Sequence, residues 1–598
     1  MTHARRVLPC LLSGTLLAGV AGIASAGPPA RPSMVRIAGN MLPRLSLLSS
    51  RPAPRDEQMS IGVALAHPHT AEEEALVAAF TTPGNPHFGR YLTFEEVVRR
   101  FAVPSARTAH VVETLRRAGL TVTTPDAMGD YVAATGTVAQ VERAFGVTER
   151  LYTVHGTQFL ANTTGPLVSS ADGVVTVVGL NTLQRYTTLA QQDPATRPMQ
   201  DSCQQSLCTG LTTPQDLWSV YEQPARWSGQ GVRMAIIGAG NPKFVIQYQA
   251  KGESHFKLPH TKLTVKCVQG SCGNSFSGQG EWVMDTQSST AMAPRNAGET
   301  LYFAKSMFDG DLNNAFIGWA HDPKGPRLAS ASLGECESSP LNDVFTGPLG
   351  QYDGNISSGS TAVLYVGNGE QAAVDPALRS AVLMGKTLFA GSGDSGGTCP
   401  LLFAAPRGLP EMDYPGVSAY VVAAGGTVLF TNPPDHGRTT RALEYTWEGS
   451  GGGPSPYIPA PAWQQSVANV KLPCVTAPTT LCRGVPDVAA QSGDGTIGNG
   501  YGVWRSSGKI GSAGGTSLSS PLWMGMWARV MGASGNRLGF AAPLLYQAAS
   551  TPAGYQASFT DVTVGDNSPY PALPGWDYAS GLGTPRVAGL IATLLHHS

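Results

Sequence analysis

The 598-residue chain carries 40 Lys and Arg against 41 Asp and Glu, a net charge of −1, with 42% hydrophobic and only 14% charged residues. That balance gives no polyanion-binding surface, and no basic patch or zinc-finger spacing rises above background, so nucleic acid is excluded as an expected partner. The apolar content suffices for a large core, and 71 Gly with 45 Pro point to a loop-rich extracellular type rather than to disorder.

Arg5 and Arg6 precede an apolar run from Val7 to Ile23 and the triplet Ala24-Ser25-Ala26, the pattern of a signal peptide over residues 1–26. The run is diluted by Gly and Ser and short for a span, so no stable membrane anchor is expected. The expected location is therefore extracellular, with the periplasm as the other possibility. Setting Cys10 aside leaves Cys203, Cys208, Cys267, Cys272, Cys336, Cys399, Cys474 and Cys482, an even number that reads as disulfides in an exported chain. Close spacing suggests Cys203 with Cys208, Cys267 with Cys272 and Cys474 with Cys482, leaving Cys336 for Cys399, although other pairings stay open. Zinc is disfavoured because the close pairs are separated by four or seven residues and lack histidine partners.

Residues 27–189 predict a strand over 58–67, helices over 71–80 and 106–118, strands over 120–123 and 131–135, and a helix over 138–145. This order suggests an antiparallel sheet with helices on one face, a ferredoxin-like α+β unit. Residues 190–210 are polar, contain Pro194 and Pro198, and read as a cleavable linker. Over 211–598, apolar runs such as Val232 to Ile237 and Thr387 to Ala390 alternate with helical stretches, as in an α/β domain with a mainly parallel sheet and flanking helices. A helix is expected just after Ser517, with Pro521 in its first turn.

The segment Gly514-Gly515-Thr516-Ser517-Leu518-Ser519-Ser520-Pro521 sets Ser517 among small residues, as around a subtilisin-like nucleophile. A serine hydroxyl needs a base, yet no histidine motif serves this one. The sequence EWVMD instead puts Glu281 and Asp285 one helical turn apart on one face, so one carboxylate can approach the serine while the other holds it. Close carboxyls share a proton and split their pKa values. A carboxylate base with a value near ~4 still works in acid, where imidazole is protonated. Asp394, in the turn GSGDSGG, can when protonated donate a hydrogen bond to an oxyanion.

The segments NPHFGRYLTFEEVVRRF from Asn85, LTTPQDLWSVY from Leu211, YPGVSAYVVAAGGT from Tyr414, WEGSGGGPS from Trp447 and VPDVAA from Val485 closely resemble the sedolisin (kumamolisin-like) family of serine-carboxyl peptidases. The resemblance implies a subtilisin-like catalytic fold. It also implies Ser517 as nucleophile, Glu281 as general base and acid, Asp285 as the residue orienting Glu281, and Asp394 as oxyanion donor. Ser332 and Gly334 would line the substrate cleft through their backbone. FTDVTVG followed by PGWDYASGLGTP is similar to the family's calcium loop, which implies one structural Ca2+ held by the Asp561 and Asp577 carboxylates and the carbonyls of Val562, Leu573 and Gly575; an oxygen-only set suits that ion. The chain departs from some members at Gly238 and Leu333, where they carry a Glu and a Trp linked to the active carboxyls.

The expected protein is thus a monomeric, secreted, acid-active endopeptidase made as a self-processing proenzyme, acting on proteins or peptides, with its prodomain as intramolecular inhibitor. Three other readings fit parts of the same sequence. They are a tripeptidyl-peptidase-type exopeptidase of the same family, a catalytically inert calcium-stabilised binding protein, and a Ser-His-Asp hydrolase using His255, His260, His321 or His436.

Overall fold

The computed structural model describes residues 33–596 apart from 38–40, 43–44, 155, 190–201, 205–206, 338–368, 400–410, 466–468, 470–471, 475–476, 494–498 and 506. The expected signal peptide over residues 1–26 and most of the 190–210 linker lie outside the described residues.

The N-terminal unit contains β1 (Gln58–Leu65), α1 (Thr70–Thr81), α2 (Phe94–Phe101), α3 (Ser105–Arg117), β2 (Thr121–Val122), β3 (Tyr131–Thr137), α4 (Val138–Phe145), a hairpin of β4 (Glu149–Val154) and β5 (Thr157–Asn162), and β6 (Val174–Val178). Its main sheet has the antiparallel order β2-β3-β1-β6, the ferredoxin-like arrangement expected from the pattern. Thr137 caps α4 through a reciprocal box with Gln140, and Gly146 ends that helix in the left-handed region, as its sequence dictates. The helix α2 begins with a similar Thr93 and Glu96 box. Ile61, Val63, Val132, Val141 and Val177 form the centre of a separate apolar core.

The larger unit is built on β8 (Leu207–Thr212), β9 (Met234–Ala239), β10 (Leu263–Cys267), β11 (Glu299–Ala304), β12 (Leu328–Ala331), β14 (Thr387–Gly391), β15 (Val421–Thr431) and β17 (Asn499–Trp504). Short β7 (Thr187–Thr188), β13 (Leu333–Cys336) and β16 (Val488–Gln491) complete the set used below. The sheet order is β8-β17-β15-β14-β12-β9-β11-β10, and the central pairs from β15 to β10 all run parallel. Continuous burial of β9, β12 and β14 fits a sheet covered on both faces. The covering helices are α7 (Gln279–Met292), α8 (Asp309–Ala320), α9 (Glu370–Leu383) and α10 (Thr516–Ala533), with α5 (Pro214–Val220) and α6 (Lys243–His255) completing the order. The N-terminal sheet rests on α8 and α9.

The helix α10 is buried all round, including Trp523 and Trp527, which marks a core helix rather than a surface one. It packs along α7 and against β12, β14 and β15. A Cβ on Gly525 would lie 2.3 Å from the Ser289 carbonyl oxygen of α7, so this close approach requires glycine. Disulfides join Cys267 to Cys272, Cys336 to Cys399 and Cys474 to Cys482. Cys208 is also disulfide-bonded and lies opposite Cys203 in a strand pair. The first three bonds agree with the pairing suggested by spacing.

Gly525→Ala is expected to force α7 and α10 apart and to cost about 1–3 kcal/mol. Urea unfolding of the variant beside wild type measures this, and an unchanged midpoint would mean that the helices yield freely.

Candidate active site

Ser517 is the second residue of α10, which starts at Thr516 rather than just after the serine. The preceding Gly515 has φ of 87°, open to glycine at little cost. Pro521 therefore lies beyond the first turn, four residues after Ser517, and has no N–H to donate to the Ser517 carbonyl. The Ser332 hydroxyl fills that vacancy, donating to Ser517 O at 2.9 Å. In return Ser517 Oγ reaches Ser332 O at 3.4 Å. Both serines are fully buried.

On α7, Glu281 and Asp285 are likewise buried, one turn apart and on the helix that packs along α10. Burial pushes the Asp285 carboxyl well above its ordinary range, with the Ser332 side chain acting in the opposite direction. The group is therefore protonated in acid, and Ser332 links it to the serine's own helix. Between the two acids, the Trp282 indole donates to Ala239 O at 2.8 Å. Its ring fills the space a side chain at Gly238 would enter, since a Cβ there would stand 3.0 Å from Trp282 Cδ2 and 2.9 Å from Phe303 Cε1. The departure at Gly238 is thus matched by a packed aromatic ring. Leu333, the other departure, is buried in the main apolar core.

Asp394 follows β14 in a turn clamped to the start of α10. Its Oδ1 accepts from Thr516 N and Thr516 Oγ1, both at 2.8 Å, while Gly393 N donates to Thr516 Oγ1 at 3.2 Å. Beneath this turn lies Asp413, which the sequence reading did not single out. Burial, and then the charge of Asp394, push Asp413 up to about 7. A Cβ on Gly334 would stand 3.1 Å from Asp413 Cβ, so this acid backs both the Asp394 turn and the strand at Gly334. The only signal for it was its position next to the segment that begins at Tyr414.

Ser332 and Gly334 form an edge that the N-terminal unit occupies. Thr187 and Thr188 of β7 pair antiparallel with Gly334 and Leu333 of β13, and Leu189 N donates to Ser332 O at 3.4 Å.

The structure thus brings Ser517, Ser332, Asp285 and Asp394 into one connected cluster, with Glu281 one turn along α7. The four candidate histidines are engaged elsewhere. His255 packs on Phe256 and Trp504, His260 meets Glu253 at 2.8 Å, His321 meets Asp126 of the N-terminal unit at 2.7 Å, and His436 is exposed beside Asp435. None offers Ser517 a base.

The proposed calcium residues also converge. Asp561 Oδ2 accepts from Gly575 N at 3.0 Å and its Oδ1 from the Tyr555 hydroxyl at 2.9 Å. Asp577 Oδ2 accepts from Leu573 N at 2.6 Å, and Ser580 Oγ donates to Val562 O at 3.4 Å. Two carboxylates thus meet the 573–575 loop through its N–H groups, and carboxylate oxygens suit a hard cation. Burial pushes Asp577 up to about 6.

Thr516→Val removes one donor to Asp394 and is expected to destabilise the protein by about 1–3 kcal/mol. A double-mutant cycle with Asp394→Asn checks the pairing: strictly additive losses would show that the two side chains do not act together.

The family profile described as "Pro-kumamolisin, activation domain" matches residues 47–183. The chain is 28% identical to sedolisin of Pseudomonas sp. (strain 101) over 90% of this chain and 87% of that one. It is 29% identical to kumamolisin of Bacillus sp. (strain MN-32), over 91% and 93% respectively. Tripeptidyl-peptidase 1 of Bos taurus is 26% identical over 90% of this chain and 92% of its own length. Among solved structures, Pseudomonas sedolisin, titled a serine-carboxyl proteinase, superposes with a TM-score of 0.52 at 26% identity, covering 65% of this chain and 99% of that one. These likenesses span both units, and the fold agrees with them: the chain is similar over most of its length to the sedolisin-type serine-carboxyl peptidases, and residues 47–183 match the pro-kumamolisin activation domain.

Proposed function

We propose that this is a secreted, acid-active endopeptidase made as a self-processing proenzyme, with residues 27–189 as prodomain and 211–598 as the peptidase. The observation that carries the reading is the juxtaposition of Ser517, the buried acids of α7 and the Thr516-bound Asp394, in a chain whose N-terminal unit ends on the strand edge at Ser332. In this mechanism Ser517 Oγ attacks the scissile carbonyl. Glu281 takes its proton and returns it to the leaving amine, with Asp285 orienting Glu281. Protonated Asp394, held by Thr516, donates to the oxyanion.

Acid dependence follows from the carboxyls. Asp413 is neutral below about 7, and above that value it adds a negative charge beside Asp394, where the oxyanion must form. The sign for stability is the same. A carboxyl raised from 3.8 to about 7 leaves the folded state holding more protons than the unfolded state, so stability falls as pH rises through that window.

The prodomain interface carries a trigger of the opposite sign. Arg379 of α9 pairs with Glu73 at 2.8 Å, and His321 of α8 pairs with Asp126 at 2.7 Å. Burial alone would raise Glu73, but His67 and Arg379 hold it below its ordinary value of 4.5. Asp126 is likewise held below 3.8 by His321, against burial. Their stabilisation is complete above the ordinary carboxylate values and is lost as pH falls through the lowered ones. His321 is raised by Asp130 and Asp126 in spite of burial, so its share is complete below the ordinary imidazole value of 6.5. The prodomain is therefore held at mildly acidic pH and loosened at about pH 4 and below.

The endopeptidase mode is favoured over tripeptidyl release because the occupied edge continues beyond the three residues Thr187 to Leu189 that lie next to Ser332 and Gly334. The Arg185 backbone bridges Phe308, and Tyr186 N donates to Met307 O at 3.1 Å. A structural Ca2+ held by Asp561 and Asp577 with the carbonyls of Val562, Leu573 and Gly575 would neutralise two carboxylates that otherwise face each other's loop.

Hydrolysis of unfolded protein by the acid-incubated chain is expected only in acid, with loss of the N-terminal unit, and is expected to fall at least about a thousandfold in Ser517→Ala and Glu281→Gln. A folded, processed protein with a flat profile equal to its mutants would favour the inert binding protein instead, and failure to cleave amino-blocked peptides would favour tripeptidyl release. For the ion, chelation is expected to lower the melting temperature by several degrees, with stoichiometric calcium by elemental analysis. No shift together with no calcium would remove this ion from the account.

A further inference from the structure

Where the N-terminal unit meets α8, two imidazoles and three carboxylates gather, and of these side chains only Asp126 is well reached by solvent. His321 stands at the C-terminal end of α8 on the peptidase side, and His67, Glu73, Asp126 and Asp130 come from the N-terminal unit. The Asp126 carboxylate is fixed by its own loop, since Oδ1 accepts from Met128 N at 2.9 Å and from Gly129 N at 3.2 Å. Its Oδ2 accepts from His321 Nδ1 at 2.7 Å, which sets the orientation of the ring and leaves Nε2 to face Asp130. On the other side His67 Nδ1 lies 2.8 Å from Glu73 Oε2, and its Nε2 lies 3.0 Å from Asp130 Oδ2. Asp130 is thereby steadied as well.

Two atoms at the centre of this group have no hydrogen-bond partner among the described residues, His321 Nε2 and Asp130 Oδ1. Their side chains are 2% and 5% exposed, and a polar atom left unanswered at such depth calls for a water or an ion. His321 Nε2 stands 3.8 Å from Asp130 Oδ2. That is too long for a hydrogen bond. It matches two ligands on one cation, because zinc takes imidazole nitrogen and carboxylate oxygen at about 2.0–2.2 Å each. Ligand atoms of Asp126, Asp130 and His321 all lie within 4.8 Å of one another. A cavity of about 270 Å³, with Asp126, Tyr131, Asn314 and His321 in its lining, adjoins the group and has room to admit an ion with several waters.

We propose that this junction is a metal site of the precursor: a divalent transition cation of the zinc class binds His321 Nε2 and the Asp130 carboxylate, and so latches the N-terminal unit to the peptidase. Asp126 acts from behind, orienting the imidazole as carboxylates do for metal-bound histidines, and His67 does the same for Asp130. An imidazole ligand selects against calcium and magnesium, which prefer oxygen alone. The site exists only while both units are docked, because Asp130 belongs to the N-terminal unit and His321 to the peptidase. A bound cation therefore stabilises the docked form alone, and at a hundred times its dissociation constant it slows release about a hundredfold. The contact between His321 Nδ1 and Asp126 that joins the units without the ion is kept in its presence. The latch, unlike the site, rests on the peptidase reading above, in which the N-terminal unit is a prodomain that has to leave.

The test uses the full exported chain carrying Ser517→Ala, which keeps the two units joined, with excess Ca2+ present to fill oxygen-only sites. Calorimetric titration with ZnCl2 is expected to show zinc binding at neutral pH. His321→Gln and Asp130→Asn are each expected to weaken it at least about tenfold, and Asp126→Asn to weaken it through the imidazole it orients. Where a variant does not fold, zinc-edge anomalous scattering from crystals of the parent chain decides, with the peak expected between His321 Nε2 and Asp130. No zinc bound, binding undiminished in both ligand variants, or a peak only elsewhere overturns the site. Release of the N-terminal unit by the chain with Ser517 intact is then followed by mass spectrometry at one fixed, mildly acidic pH. Zinc at a hundred times the dissociation constant measured at that pH is expected to slow release about a hundredfold, and to leave His321→Gln unaffected. Binding without slowing overturns the latch, as does equal zinc inhibition of casein hydrolysis by enzyme already freed of the unit. Absence of casein hydrolysis without zinc would sink the peptidase reading instead, and leaves the binding result to stand by itself.

Discussion

The carbonyl of Ser517 lacks a helical donor because proline stands four residues further on, and the Ser332 hydroxyl takes its place. That substitution ties the end of the parallel sheet to the start of α10. Through Ser332 the same junction reaches Asp285 on α7, and through its carbonyl it reaches both the nucleophile and the N-terminal unit. A helix interior normally closes each carbonyl on itself. Here one is left open, and the site is assembled around it.

The acids gathered near this junction are buried rather than solvated, which changes what they can do. Burial raises Asp285 and Asp413, so protons are retained where an exposed carboxyl would have released them. Glu299, which accepts from Ser289 at 2.7 Å on the far turn of α7, is raised in the same way. At the domain interface, by contrast, cations stand opposite each acid, and Glu73 and Asp126 are lowered. One protein thus holds two sets of carboxyls tuned in opposite directions by the presence or absence of a paired charge. The first set favours work in acid, and the second loosens the prodomain when acid arrives.

His67 illustrates how the interface is kept in order. Burial disfavours its charge, but Asp130 and Glu73 on its two ring nitrogens outweigh that and push it up to about 9. Remaining charged, it fixes the Glu73 carboxylate that Arg379 of the peptidase then meets. Two imidazoles, His67 and His321, thus serve the contact between the units and not the serine.

Much of this was legible in the chain itself. Period-2 and helical patterns gave six elements of the N-terminal unit to within a few residues, because its strands alternate and its helices carry caps such as Thr137 and Gln140, but they missed α2, the β4–β5 hairpin and the edge strand β6. Cysteine spacing suggested the pairings, since short loops leave few partners within reach. The spacing of Glu281 and Asp285 put them on one helix face by geometry alone. What the sequence by itself could not decide is long-range. Asp413 acquires its raised pKa only when burial and Asp394 surround it, and the space at Gly238 is filled by Trp282 only when α7 lies on β9. Whether the Tyr186 phenol meets Asn313, more than a hundred residues away along the chain, depends on how two domains dock. Local periodicity records which face of an element is apolar, whereas burial, desolvation and hydrogen bonding between distant segments exist only once the tertiary structure brings them together.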